Sequence, residues 1–356
     1  MNKIIRILTV LALLIVAVLV GITFVNRPGD PLPKEYREED ALEDGGKVST
    51  THDTLPLLAQ DKIEVLPSPE LETSKPVVPE NVVINEEERN VSEVIKMITS
   101  LNASYAERLE AMRNLSPNLS VEDVQALMPW LGEPNPDGLA ISPIEYNSIK
   151  NDMMEILLQQ EVMPEGIGQL LTGIYTSSEQ DEIWRNYSIQ FMTPFYERAS
   201  AEYAGQGGAA SDKGIASAAA LKRVEQTLWN ALDERGNSNA GTALLGLNYL
   251  SDKFPEFKKP DVQAAMVDLA TDPSASEANR ITALRLCGQQ GHIEALNASR
   301  NVARNGNTTV LRCAAIATLG DLGIDEDRML LETYADSSDL RIQRIARISL
   351  EKFSKD

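Results

Sequence analysis

Two histidines, His52 and His292, and two cysteines, Cys287 and Cys313, are the chain's whole stock of imidazole and thiol. A tetrahedral zinc site takes about four such ligands at close spacing, so no His/Cys metal cluster is expected. Ser-His-Asp or Cys-His catalysis would have to use one of these residues. His292 lies five positions after Cys287, but Cys287 falls on an apolar helix position and reads as core-facing. Two thiols in 356 residues do not make a disulfide framework. Gly205-Gln-Gly-Gly follows no strand and leads to no Gly-Lys-Ser/Thr, so it is no phosphate loop. Asp321-Leu-Gly-Ile-Asp-Glu-Asp lacks the Asp-x-Asp-x-Asp-Gly frame of a calcium loop and reads as helix capping. With 53 acidic residues, no single carboxylate pair stands out. No catalytic, cofactor-binding or metal residue is therefore assigned, no cofactor is expected, and the chain is expected not to be an enzyme. The sequence singles out no partner-binding residues, which stay unknown from it.

Charge narrows the partners. The 33 basic residues against 53 acidic ones leave a formal charge of −20. Such a surface repels phosphate backbones, so nucleic acid is excluded as a partner. It keeps the domain soluble and could attract a basic protein. Apolar residues make up 43% and aromatic residues only 5%, which favours packed helices over sandwiches or barrels.

The elements divide along the chain. Residues 1–6 form a short tail carrying Lys3 and Arg6. Residues 7–25, Ile7 to Val25, carry no charge. At ~1.5 Å per residue that run spans roughly 28 Å, enough for a hydrocarbon core. It is longer than the apolar stretch of a cleaved signal and ends without a small-x-small site, so it reads as a transmembrane signal anchor. The tail charges favour a cytoplasmic N-terminus, which places the rest of this single-pass protein on the periplasmic or extracellular side. Residues 26–88 are rich in proline and acidic groups and read as a disordered linker, in which Leu55-Pro-Leu-Leu and Val82-Val-Ile are short apolar pieces.

From residue 89 onward, apolar residues recur with helical period between short polar breaks. Arg280-Ile-Thr-Ala-Leu-Arg-Leu-Cys-Gly aligns with Arg312-Cys-Ala-Ala-Ile-Ala-Thr-Leu-Gly and with Arg341-Ile-Gln-Arg-Ile-Ala-Arg-Ile-Ser. Apolar residues stand at +1, +4 and +7 from each arginine, on one helix face. Ala283 and Ala315 at +3 would admit a close neighbour, and Gly288 and Gly320 at +8 suit a helix end. A shorter helix precedes each segment, at Val262–Ala270, Ile293–Ala303 and Arg328–Tyr334. The turns between hold Asp272-Pro-Ser-Ala-Ser, Asn305-Gly-Asn-Thr-Thr and Asp336-Ser-Ser-Asp, which supply N-caps. Arg108, Lys150, Arg185 and Ala240 open weaker copies, giving up to seven helical pairs. The expected architecture is all-α: an α-solenoid of stacked helical hairpins, divergent over 89–260 and clearer over 261–356, after one transmembrane helix and a disordered linker.

These segments resemble the HEAT-repeat family, including the short HEAT-like repeats of phycobilisome lyases. The resemblance is strongest over 261–354. It implies that a basic residue opening each second helix, here Arg280, Arg312 and Arg341, bonds to an aspartate of the preceding turn. Asp272, Asp336 and Asp339 are available, at no constant offset, and none lies near Arg312. A row of ligand-binding arginines is the other reading of these positions. Repeat faces of this kind hold proteins or peptides, so the expected function is a membrane-tethered protein-binding scaffold or adaptor. A lyase-like enzyme of the same fold and a structural spacer of the cell envelope are the alternatives. Met112, Met128, Trp130, Met153, Met154, Met163, Trp184, Phe191, Met192 and Phe195 read mainly as core, and any exposed members are the place to look for a partner.

Overall fold

The computed structural model describes residues 91–205 and 212–353, and the statements that follow concern these. The expected tail, the anchor at 7–25 and the linker at 26–88 lie outside the described residues. None of the described helices is long and apolar enough to cross a membrane.

The described residues form fourteen α-helices and no strand, and the helices come in seven pairs. These are α1 (Glu93–Thr99) with α2 (Tyr105–Arg113), α3 (Val121–Gly132) with α4 (Pro143–Gln159), and α5 (Ile167–Thr176) with α6 (Glu182–Gly205). Then come α7 (Asp212–Ala231) with α8 (Asn239–Ser251), and α9 (Lys259–Thr271) with α10 (Glu277–Gln290). The last are α11 (Leu296–Asn305) with α12 (Thr309–Leu322), and α13 (Arg328–Ala335) with α14 (Leu340–Phe353). Within each pair the two helices pack together, and each second helix packs on the second helix of the next pair, from α2 through to α14. Arg108, Lys150, Arg185, Ala240, Arg280, Arg312 and Arg341 each fall in a different second helix, so the periodicity located all seven.

Capping chemistry sets where the helices begin. Ser92, Ser104, Ser120, Ser142, Ser276 and Thr308 each accept a hydrogen bond from a backbone N–H of the first turn. Ser104 with Glu107, and Ser142 with Glu145, form reciprocal capping boxes. Asp339 takes the Arg341 N–H at 2.9 Å, so each of the three turns read from the sequence supplies a cap. Helix ends differ from the expectation. Gly288 and Gly320 lie inside α10 and α12, which end at Gly291 and Gly323 with φ of 73° and 64°. Gly288 and Gly320 instead make room for the next pair. A Cβ on Gly320 would sit within 2.8 Å of the Ser349 backbone, and one on Gly288 within 3.0 Å of Thr318.

Polar side chains stitch the pairs together. Asn186 donates to Asn239 Oδ1 (3.0 Å), Ser238 Oγ (3.1 Å) and Thr242 Oγ1 (2.9 Å). Asn279, wholly buried, donates to the carbonyls of Arg235 (3.0 Å) and Asn237 (2.7 Å) and accepts the Gly241 N–H (2.7 Å). Buried amides are tolerated because they are satisfied in this way, and they fix the register of one pair on the next.

A second device closes the first helix of a pair. Its last carbonyls have no partner inside the helix and sit at the negative end of its dipole. Arg108 donates to the carbonyls of Ile98 (2.6 Å), Ala103 (3.1 Å) and Ser100, below α1. Lys150 Nζ donates to the Glu133 carbonyl (2.6 Å), beside Gln180 on Gly132 (2.6 Å) and Trp184 on Leu131 (3.0 Å). Arg185 reaches the Tyr175 carbonyl (2.7 Å) and Arg312 that of Ala303 (3.0 Å). Lys150 is fully buried, with the Tyr146 and Trp184 rings 5.1 and 5.7 Å from its ammonium. Burial lowers its pKa to about 8, against the opposing pull of Glu133 and Asp181.

Two outcomes are expected. Asn279→Ala strands the Gly241 N–H and the two carbonyls, and should cost ~1–3 kcal/mol by denaturant unfolding. A loss within error of zero would mean the buried amide does not couple the pairs. An ammonium with a lowered folded pKa costs stability below that pKa, and the cost is relieved as pH rises toward its ordinary 10.5. The stability advantage of the native chain over Lys150→Met should therefore grow from about pH 8 to about pH 10. A constant difference would show that burial leaves the Lys150 ammonium unshifted.

Candidate functional site

The first pair has no predecessor among the described residues. Its free flank is an open groove of about 510 Å³ between α1 and α2. Val94 and Met97 of α1 and Ala106 and Ala111 of α2 make it apolar, and Met97 is 41% exposed. Glu93, Glu107 and Glu110 stand along it, with Asn114 at one end. Ser104 holds the Glu107 carboxylate through its hydroxyl and its backbone N–H (2.7 and 2.8 Å), which keeps the Glu107 pKa below its ordinary value. Lys96 pairs with Glu93 (2.8 Å) and Arg113 approaches Glu110 (3.7 Å), both on the exposed surface.

Local sequence explains why the groove is apolar. In the seven residues of α1, Ile95 and Ile98 are fully buried, yet Val94 and Met97 are apolar too. A helix apolar on more than its core-facing stripe has a second surface to cover. The opposite flank of α2 is closed by Arg108, which is fully buried and spends its guanidinium on α1.

Other residues singled out by the sequence fall elsewhere. Trp130, Met153, Met154, Trp184, Met192 and Phe195 are buried in the core, and Met112, Met128, Met163 and Phe191 are half-buried against it. Their helical spacing served packing, so they do not form a binding surface. The arginine–aspartate ladder of the resemblance is not formed. Arg312 caps a carbonyl, Arg280 Nε is buried without a partner, and Arg341 lies exposed at 3.7 Å from Asp339. Asp272 pairs with Arg235 (2.8 Å), from the preceding pair. Nor do Arg280, Arg312 and Arg341 line up as a ligand row, because Arg312 is turned to the Ala303 carbonyl and the Arg280 Nε is buried while Arg341 is exposed.

Burial pushes the Cys287 thiol up to about 12 and raises Cys313 as well, so neither is an activated nucleophile. His292 faces Gln290 Oε1 at 3.4 Å and binds the Cys287 carbonyl only through its backbone N–H (2.9 Å). In the acidic run, Asp327 is held by Arg300 through two bonds of 2.6 and 3.1 Å, and Asp321 by Lys352. Asp152 and Glu155, one turn apart on α4, both have raised pKa values. Desolvation is the larger cause in each, and Asp152 adds to the rise at Glu155. Shifted carboxylates are a feature that catalytic sites use, and sequence counting could not single them out.

No known protein family and no curated protein matches this chain. Among solved structures, it is similar to human deoxyhypusine hydroxylase in complex with glycerol, at 12% identity and a TM-score of 0.29. The match covers 74% of this chain and 95% of the hydroxylase. That protein is an enzyme by its name, so the expectation that this chain is not an enzyme is withdrawn. The likeness is too distant to carry an argument about what this chain binds or does.

Proposed function

We propose that this chain is a HEAT-like helical-repeat scaffold, tethered to a membrane through residues 7–25, that holds a protein partner in the groove between α1 and α2. One observation carries this reading: an open apolar groove with a glutamate border, on a flank of α1 and α2 that no other described helix covers. Apolar surface of this kind on a repeat protein suits a helix laid into it. The border sets the partner's chemistry, which is an apolar helix face flanked by lysine or arginine. A structural spacer needs no such surface, and the groove disfavours that alternative. The uncharged run from Ile7 to Val25 supports the membrane tether, and Lys3 and Arg6 support an extracytoplasmic scaffold.

Two measurements test it. An amphipathic helical peptide with an alanine/leucine face and lysine flanks should bind the full chain in detergent, read by fluorescence anisotropy. The same peptide with glutamate flanks should not. Met97→Glu should weaken the binding by at least about tenfold. Because Met97 is partly exposed, the change should cost under ~0.5 kcal/mol of stability. Equal binding of both peptides, or an unaffected Met97→Glu variant, would remove the groove as the site. For topology, protease added to spheroplasts should digest the repeats, whereas digestion only after lysis would place them in the cytoplasm.

A further inference from the structure

The opposite end of the stack carries the matching chemistry. In the repeated segment, the +3 places hold Ala283 and Ala315, the +6 places Leu286 and Thr318, and the +7 places Cys287 and Leu319. All six are buried, with α12 packed on α10 and α14 packed on α12. In α14 the same places hold Arg344, Arg347 and Ile348. Both arginines are exposed, Ile348 is 43% exposed, and Leu340 beside them is 75% exposed. The places that interior pairs bury are thus open on the last helix, and their composition has turned basic.

The exposed face of α14 is basic. A chain of net charge −20 sets Arg341, Arg344 and Arg347 three apart, with no carboxylate among them. Like charges at this spacing repel along a helix. Arg341 lies 3.7 Å from Asp339, while Arg344 and Arg347 pair with no carboxylate among the described residues. At the other end, Glu107 and Glu110 stand at the same three-residue spacing along α2, with Glu93 across the groove. Both spacings are ~4.5 Å along the helix axis.

We propose that α14 of one copy docks in the α1/α2 groove of a second copy, joining the chains head to tail. This rests on the groove reading above and names its occupant. Arg344 and Arg347 meet Glu107 and Glu110, while Leu340 and Ile348 cover Val94 and Met97. Lys96 and Arg113 release Glu93 and Glu110 at little cost, because exposed ion pairs are weak. The contact is heterologous, so each copy keeps one free end, and assembly proceeds to rings or filaments.

The test mixes two differently tagged full-length chains in detergent, one with Glu110→Cys and one with Arg347→Cys. Oxidation should join them into a mixed dimer, above the background of the chain with no added cysteine. Glu107→Lys with Glu110→Lys should abolish self-association in sedimentation, and an Arg344→Glu/Arg347→Glu copy should restore it. Rising salt should weaken it. Three results would overturn the proposal. Crosslinking no greater than Glu110→Cys gives alone would mark random collision. A crosslink within one chain between Glu110→Cys and Val83→Cys would show that the preceding segment fills the groove. A monomer at every concentration whose groove still binds the lysine-flanked peptide would leave the groove reading standing and this occupant wrong. If neither peptide nor second copy binds, both readings fall.

Discussion

A pair of short helices has more apolar surface than it can bury against itself, and each pair here solves that by leaning on the next. The consequence is visible in single residues. Ala283, Ala315, Leu319 and Cys287 are wholly buried, and Gly288 and Gly320 have no side chain because the neighbouring helix passes where it would be. No pair carries its own core, so stability is shared between neighbours. Apolar side chains stay exposed along the described stack, at Val121, Ile144 and Val162 as well as at Met97 and Leu340 near its two ends. Interior flanks are consumed by packing, and a chain of this kind does its binding with what packing leaves open.

The stack also has to dispose of helix ends. Every first helix finishes with carbonyls that would otherwise meet the interior unpaired. In four of the seven pairs Arg108, Lys150, Arg185 and Arg312 reach those carbonyls from the second helix, which explains the basic residue there. Burying Lys150 beside two aromatic rings is costly enough to lower its pKa toward neutrality, and the Glu133 carbonyl offsets part of that cost. Asn186 and Asn279 do the corresponding work between pairs.

Much of the fold was legible because its signals are local. Serine and threonine caps and a three-and-four apolar spacing located all seven second helices, and a recurrent cation marked six of them. What was misread depends on partners distant in sequence. Gly288 and Gly320 looked like helix ends, since sequence shows a small residue but not the helix that presses on it. The recurrent arginine was visible, yet for Arg108, Arg185 and Arg312 the acceptor is a carbonyl, which has no signature in sequence. Methionine and tryptophan were read mainly as core from their helical spacing, and Met153, Met154 and Trp184 do fill it. The groove was missed although α1 carries its signal, because seven residues are too few for a two-sided apolar pattern to stand out from an ordinary core stripe.

The net charge hides the arrangement that bears on function. Summed over the chain, −20 says only that the surface is acidic and that phosphate polymers are repelled. Resolved along the stack, the first pair carries glutamates around open apolar surface and the last carries arginines beside it. Repeat proteins commonly end in polar caps, which keep the open end from aggregating. A neutral polar cap would serve that purpose on either end. A row of glutamates along the groove at one end and a row of arginines on the helix face at the other do more, because each row offers the other a partner of opposite sign. The asymmetry gives direction to any contact made there, and it does so with side chains that the folding of a single copy leaves unused.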